Sequence, residues 1–169
     1  MSQALEISLL GELRVRAMGQ EIVLPASKKA RALLAFLVAT GRPHRRERLC
    51  ELFWDLPDDP KAALRWALSK LRRAVDTPDR LRIIADRERV QFDAEGIGID
   101  ILDIHARLRN QAGLLGVTEL EDMATRLGNM LLDGLDGAGD EAFDAWLTAE
   151  REDVHLAQVE VYRRLATHR

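Results

Sequence analysis

The side chains with the clearest binding chemistry are cations on one short segment. Residues 61 to 75, KAALRWALSKLRRAV, contain five cations and no acid, although the 169-residue chain has a formal net charge of -3. Clustered Lys and Arg neutralise phosphates, and Arg also forms paired hydrogen bonds with guanine. The segment therefore indicates a nucleic-acid-binding surface built from Lys61, Arg65, Ser69, Lys70, Arg72 and Arg73.

The spacing of this segment predicts a helix with two faces. At about 100° per residue, one narrow sector is apolar; it holds Leu64, Leu68, Leu71 and Val75. A charged helix face usually has no partner other than solvent. Such faces normally carry both acidic and basic residues, because like charges four residues apart destabilise a helix. The absence of acids favours a phosphate-bearing partner over a merely solvated face.

Trp66 stands among these cations on the side predicted to be exposed. Three interpretations stay open at this point. The indole contacts thymine methyl groups or deoxyribose, packs on a neighbouring chain, or folds back over the LPDDP connection at residues 56 to 60.

The elements before this helix are short strands and two further helices. Alternating apolar residues in 5 to 24, with turns at Gly11 and Gly19, predict an antiparallel meander. Ser27 is a predicted N-cap for a helix that ends at Gly41, and residues 44 to 55 predict a shorter helix. The basic helix begins with Asp59 as N-cap and Pro60 at the first position.

After the basic helix, residues 81 to 85 and 89 to 95 predict a hairpin, and from Asp100 onward the pattern is helical, ending in a long run from about Asp140 to Thr167. Three helices followed by a hairpin are the layout of a winged helix-turn-helix. We therefore predict an α+β fold: a winged domain with an N-terminal antiparallel sheet over residues 1–99, and an all-α piece over residues 100–169.

Charge and composition support this division. Residues 1 to 100 hold 18 basic against 15 acidic side chains, whereas residues 101 to 169 hold 7 against 13. The chain shows neither a signal-peptide pattern nor an apolar stretch long enough to span a bilayer. We expect a cytoplasmic protein without membrane association. The lone Cys50, in RERLCELFW, is expected to be buried.

Three segments resemble the DNA-binding domain of streptomycete antibiotic regulatory proteins (SARPs), which is a variant of the OmpR/PhoB-like winged helix. They are LGELRV, SKKARALLAFLVATGRPHRRERLCELFWD and ALRWALSKLRRAV. DILDIHARL and the segment from Leu131 to Ala166 resemble the first helices of the bacterial transcriptional activator domain, which is tetratricopeptide-like. The resemblance covers nearly the whole chain. Members of the family often have a small apolar side chain where Trp66 stands.

The resemblance implies a transcription regulator whose third helix reads promoter DNA, usually at direct repeats. It implies a hairpin wing near the minor groove, with Arg82, Arg87 and Arg89 in or near it. It also implies that the second helix and its preceding loop contact phosphates or RNA polymerase, through Arg42, Arg45, Arg46 and Arg48.

Other chemistry has little support. Asp133, Asp136, Asp140 and Glu141 lack the alternation of an EF-hand, and a helix cap at Asp140 is the preferred interpretation. No nucleotide-binding or catalytic motif is present, and the four His residues lack metal-ligand spacing. We expect no enzyme activity and no cofactor.

The last helix carries an apolar stripe large enough to suggest an interaction or dimer face, formed by Phe143, Trp146, Leu147, Val154, Val161 and Leu165. Packing of the stripe within the chain is the competing interpretation. The sequence thus predicts a sequence-specific DNA-binding regulator, with duplex DNA, RNA polymerase and a second copy of the chain as partners. The alternative is an adaptor that uses a winged fold to bind polymerase or another regulator.

Overall fold

The structure is a computed structural model that describes residues 5–55, 59–110 and 114–168. Seven short strands and six helices follow one another in these parts of the chain. They are β1 (Leu5–Ser8), β2 (Arg14–Ala17), β3 (Gln20–Ile22), α1 (Lys28–Thr40), β4 (His44–Arg45), α2 (Arg46–Phe53), α3 (Pro60–Val75), β5 (Ile83–Ala85), β6 (Arg89–Phe92), β7 (Gly98–Ile99), α4 (Asp100–Arg109), α5 (Val117–Leu127) and α6 (Glu141–Thr167).

The N-terminal meander forms a sheet in the order β3-β2-β1-β7. Strands β1, β2 and β3 pair antiparallel as predicted, with Ile7 opposite Val15, and both side chains are buried. Strand β7 was not predicted, and it adds in parallel beside β1. The carboxylate of Asp100 fixes this junction, because its two oxygens accept hydrogen bonds from the backbone N–H groups of Leu9 and Leu10 at 2.8 and 3.1 Å.

Helices α1 and α3 begin at their predicted capping residues, and α1 ends at the predicted Gly41. The Ser27 hydroxyl accepts a hydrogen bond from the Ala30 N–H at 3.1 Å, and Gly41 ends α1 with a positive φ of 63° that suits glycine. The Asp59 carboxylate caps α3 in the same way, at 3.0 Å from the Ala62 nitrogen. The predicted connection to α3 begins at residues 56 to 58, which lie outside the described residues.

The predicted hairpin is part of a second sheet, in the order β4-β6-β5. Two-residue strand β4, which the sequence did not predict, pairs antiparallel with β6 and joins the hairpin to the start of α2. These observations confirm the α+β winged fold, in which an N-terminal sheet precedes the helices.

The helical piece and the winged part share one hydrophobic core. Phe143 and Trp146 at the start of α6 contact Phe36 of α1, with ring centroids 6.5 and 5.0 Å away, and Phe143 also lies 5.1 Å from the ring of Phe53 in α2. Gly139 permits this approach, because a Cβ there would lie 2.6 Å from the Phe143 Cβ and 2.8 Å from the Leu52 carbonyl oxygen. Division of the chain into two domains at residue 99 stays a prediction.

The apolar stripe on α6 does not form an interaction face. Four of its residues are buried within the chain, and the other two are half-buried against the same core: Phe143, Leu147, Val154 and Val161, then Trp146 and Leu165. The sequence prediction of a dimer face at this stripe is therefore wrong. The sequence pattern identified the buried side of α6 correctly, but it could not show that α5 and the winged part cover it.

The acidic loop before α6 is structural, as the sequence favoured. The Asp140 carboxylate accepts a hydrogen bond from the Phe143 N–H at 2.9 Å and so caps α6. Asp136 instead forms two hydrogen bonds of 2.8 Å with the guanidinium of Arg151, which holds the pKa of the Asp136 carboxyl below its usual value. In the described parts of the chain, no group of His, Cys, Asp and Glu could hold a metal ion.

Candidate nucleic-acid interface

Helix α3 exposes its cations because its apolar side packs inward. Leu64, Leu68, Leu71 and Val75 are buried, together with Ala67. On the opposite side Lys61, Arg65, Ser69, Arg72 and Arg73 are exposed, and Lys70 is half-buried. The structure thus places the predicted two stripes on opposite sides of one helix, and we call the cation-bearing side the basic face of α3.

Among the described residues, the cations of the basic face have no carboxylate partner. Among the described residues, no Asp or Glu oxygen lies within 4.0 Å of the charged nitrogens of Lys61, Arg65, Lys70, Arg72 or Arg73. Arg72 and Arg73 stand in the last turn of α3, where the helix dipole favours positive charge. That interaction stabilises the helix end but leaves both guanidinium groups open to a ligand.

A groove of about 830 Å³ runs beside the basic face, between α2, α3 and the turn of the β5-β6 hairpin. Its apolar lining comes from Cys50, Pro60, Leu64 and Ala85. Six cations also line it, against three acids: Arg45, Arg46, Lys61, Arg65, Arg72 and Arg87, against Glu47, Asp86 and Glu88. The groove therefore has an excess of positive charge and adjoins the predicted recognition surface.

Backbone contacts fix the wing turn beside this groove. The Asp86 carboxylate accepts hydrogen bonds from the N–H groups of Glu88 and Arg89, both at 2.8 Å, and these bonds lower the pKa of Asp86. Arg46 at the start of α2 binds the same turn, since its backbone N–H donates to the Glu88 carbonyl and its Nε donates to the Asp86 carbonyl, both at 2.8 Å. The turn is thus held at a set distance from α2.

The predicted wing cations divide into two groups. Arg87 and Arg89 are exposed on the turn and on β6, as the prediction requires. Arg82 is only 8% exposed, and its Nη1 donates to the carbonyls of Asp93 and Glu95 at 3.1 and 2.7 Å. Its assignment to the DNA-binding set is therefore wrong: this guanidinium ties the start of β5 to the segment after β6.

The four cations predicted to flank α2 also differ in their surroundings. Arg45 is exposed and lines the groove, whereas one nitrogen of Arg46 is used by the wing turn. Arg48 pairs with Glu51 at 3.3 Å, and the Nη1 atom of Arg42 lies 3.5 Å from the His44 ring. Of the four, Arg45 is the cation best placed to share a ligand with the basic face.

Trp66 lies on the basic face with 51% of its surface exposed. The Nζ atom of Lys70, one turn away, lies 5.6 Å from the centre of its ring, which is the geometry of a cation–π contact. The interpretation in which Trp66 covers the connection before α3 involves residues 56 to 58, outside the described part of the chain. Its exposed ring is accessible to a ligand of the basic face.

Sequence reasoning missed the parts of this site that come from distant segments. Ala85 and Asp86 reach the groove only because β4 pairs with β6. One available signal was the order Asp86, Arg87, Glu88, Arg89, since an Asp side chain commonly accepts hydrogen bonds from N–H groups two and three residues later.

Cys50 is buried as predicted, and burial raises the pKa of its thiol.

No protein-family model matches the sequence, and no curated protein matches it. No helix in the described residues has both the length and the apolarity that crossing a membrane requires. A solved structure has a similar fold: EmbR of Mycobacterium tuberculosis, in complex with a low affinity phosphopeptide, superimposes with a TM-score of 0.63. The two sequences are 21% identical, over 95% of this chain and 46% of the EmbR chain. This chain therefore spans less than half the length of EmbR, and at this identity the likeness shows the shared fold.

Proposed function

We propose that the protein is a sequence-specific DNA-binding transcriptional regulator. In this proposal α3 enters the major groove of duplex DNA, and the β5-β6 wing lies near the minor groove. The observation that carries the proposal is the basic face of α3, whose five cations have no acidic partner among the described residues. Likeness in fold to EmbR, a regulator of the SARP type, supports it.

The charge pattern gives a reason for affinity. Each cation that neutralises a phosphate releases counterions from the DNA, and this release favours binding independently of sequence. The exposed cations lie on three elements that surround one groove, namely Lys61, Arg65 and Arg72 on α3, Arg45 beside α2 and Arg87 on the wing turn. A sugar-phosphate backbone that follows the groove would contact all three elements.

Base recognition would come from the middle of the same helix. Arg65, Ser69 and Arg72 lie on successive turns of the basic face, and the docking mode of a recognition helix directs such side chains to base edges. Trp66 would add an apolar contact beside them. The protein would act in the cytoplasm without a cofactor or enzyme activity, with RNA polymerase as a protein partner.

A second candidate function is an adaptor that binds an acidic segment of RNA polymerase or of another regulator. One observation favours it: Cys50, Pro60, Leu64 and Ala85 give the basic groove an apolar lining that a peptide side chain could fill. Salt dependence separates the two candidates, because a duplex offers many phosphates and a short acidic segment offers few charges.

The test is a titration of random duplex DNA at low salt, repeated at higher salt. If about four phosphates are neutralised, a fourfold rise in salt weakens binding by roughly two orders of magnitude. Replacing Arg65→Glu and Arg72→Glu together should abolish binding without loss of helical structure, since both side chains are exposed. Undetectable binding of the wild type, or binding that salt does not weaken, would contradict the proposal.

A matched control removes two cations elsewhere. The pair Arg109→Glu and Arg126→Glu changes net charge by the same amount, and both residues are exposed on the helical piece. This variant should bind DNA at nearly wild-type affinity. If both double variants lose affinity equally, then net charge controls binding and the basic face of α3 is not the site.

A further inference from the structure

Helix α6 has an exposed side opposite the buried stripe. Its 27 residues span about 40 Å. Six exposed positions recur at alternating spacings of three and four residues: Ala149, Glu152, Leu156, Val159, Arg163 and Ala166. This is the repeat of the two seam positions of a coiled coil, and we call these residues the outer seam of α6.

Two large apolar side chains lie at the centre of the outer seam. Leu156 is 57% exposed and Val159 is 52% exposed, and nearby Tyr162 is 53% exposed. Toward the ends of the seam, Glu152 has no cation within 4.0 Å among the described residues, and the Arg163 side chain is 63% exposed. Single exposed apolar residues are common, but two adjacent seam positions with charges placed on both sides form an ordered pattern.

The outer seam is complementary to itself. Its order of side chains is small, acidic, apolar, apolar, basic, small. Consider a second copy of the helix that runs antiparallel, about a two-fold axis between Leu156 and Val159. Leu156 of each copy then faces Val159 of the other copy. The same axis brings Glu152 opposite Arg163 of the second copy and Ala149 opposite its Ala166. We infer that α6 pairs with α6 of a second copy of this chain in an antiparallel, two-fold symmetric dimer.

Charge selects the antiparallel orientation. In a parallel pair with the same register, Glu152 would face Glu152 and Arg163 would face Arg163, so both charged positions would repel. In the antiparallel pair each Glu152 faces an Arg163 of the other copy. Because the dimer is symmetric, this attractive contact forms twice. A pair of alanines at each end of the seam allows the helices to approach closely.

The residues beside the seam are compatible with this arrangement. The axis brings Asp153 toward Glu160 of the second copy, which alone would be repulsive. Glu160 already lies between two guanidinium groups, with an oxygen 2.6 Å from nitrogens of both Arg163 and Arg164, and these contacts lower its pKa to about 2. Glu160, Arg163 and Arg164, together with Glu152 of the second copy, carry no net charge, so Asp153 approaches a neutral cluster.

The seam is small, and the dimer should be weak. Two central apolar pairs and two ion pairs form a contact well below the roughly 1,600 Å² of a standard interface. We expect a dissociation constant on the order of tens of micromolar. Sedimentation velocity of the full chain over a concentration series that brackets this value should show a shift from monomer to dimer.

Charge reversal tests the pairing itself. Glu152→Arg and Arg163→Glu should each weaken dimerisation by roughly tenfold or more, because each puts like charges together twice. An equimolar mixture of the two variants should form a heterodimer, since the introduced arginine then meets the introduced glutamate, and the native pair forms at the other position. Glu121→Arg on α5 is the control, an exposed acid with the same charge change that should leave the dimer intact.

Three results would overturn the inference. The first is a wild-type chain that stays monomeric at hundreds of micromolar, which would leave the seam to a different partner. The second is a dimer that neither reversal weakens. The third is a mixture of the two variants that associates no better than either alone. None of these depends on DNA binding, so the inference and the proposed function can fail separately.

Discussion

The basic face of α3 and the charged surface of the helical piece differ in how their charges are used. In the helical piece, most of the described Arg side chains are in ion pairs, such as Arg107 with Glu119 at 2.8 Å and Arg151 with Asp136 at 2.8 Å. On α3, five cations stand without a carboxylate among the described residues.

This difference separates charges that stabilise the fold from charges that, among the described residues, contact no other element. The Arg107–Glu119 pair joins α4 to α5, and Arg151 joins α6 to the preceding loop through two backbone carbonyls as well as Asp136. No comparable contact ties the cations of α3 to another element among the described residues. A like-charged surface that lowers helix stability is expected where function requires it.

The largest effect should come from breaking the core that joins the two regions. Phe143→Ala removes a fully buried ring that contacts Phe36 and Phe53, and it should lower the free energy of unfolding by about 3–5 kcal/mol. Urea unfolding followed by both Trp fluorescence and far-UV circular dichroism should show one shifted transition. Two separate transitions in the wild type would mean that the regions fold independently.

The exposed residue Tyr162 provides the control for that experiment. Tyr162→Ala on the same helix removes an aromatic ring that is 53% exposed. Measured at protein concentrations too low for dimerisation, it should change the free energy of unfolding by less than about 1 kcal/mol.

A smaller effect should distinguish two arginines of the winged part. Arg82→Met leaves the Asp93 and Glu95 carbonyls without their donor, so the free energy of unfolding should fall by about 2 kcal/mol. Arg65→Met removes an exposed cation that has no carboxylate partner among the described residues, and it should change stability by less than about 0.5 kcal/mol while weakening DNA binding. Equal losses of stability in the two variants would contradict the division into structural and ligand-binding cations.

The smallest effect concerns pH and the buried His44 beneath the wing. The Thr40 hydroxyl donates to the Phe36 carbonyl, so its oxygen accepts from His44 Nε2 at 2.7 Å, which leaves Nδ1 unprotonated and facing Arg42. Burial, with a contribution from Arg42, lowers the pKa of His44 from 6.5 to about 4. The unfolded chain therefore binds more protons between these values, and stability falls as pH falls from about 6.5 toward 4.

Comparison with His44→Gln isolates this contribution. Between pH 6 and pH 5 the free energy of unfolding of the wild type should fall by about 1 kcal/mol more than that of the variant. Burial also lowers the pKa of His105, but that residue is common to both proteins and cancels in the difference. Parallel pH profiles would show that His44 is protonated to the same extent in the folded and unfolded chains.

Local signals predicted much of this structure. Ser27, Asp59 and Asp140 each cap the helix that the sequence assigned to them, and the period of apolar residues gave the buried side of α3 correctly. These features depend on contacts within one helical turn, so a single sequence contains them. The exposed cations of α3 followed directly, because burying one side of a helix exposes the other.

The features that sequence reasoning missed depend on distant contacts. Strands β4 and β7 are two residues long, too short for any periodicity, and they exist only through pairing with β6 and β1. Arg82 looks like other wing cations in sequence, and only the path of the chain after β6 brings two carbonyls to it. The sequence pattern assigned the apolar stripe of α6 to a dimer face. Residues that bury it, including Phe36 and Phe53, lie about a hundred positions earlier in the sequence, so no local pattern indicates the contact.

The contact at Gly139 joins the start of α6 directly to the end of α2. Its backbone lies so close to Phe143 and Leu52 that no side chain fits, and the next residue donates a hydrogen bond from its N–H to the Leu52 carbonyl at 2.8 Å. We therefore expect a ligand or second chain that tilts the start of α6 to shift the end of α2 as well. Since the other end of α2 holds the wing turn through Arg46, we expect such a shift to alter the basic groove.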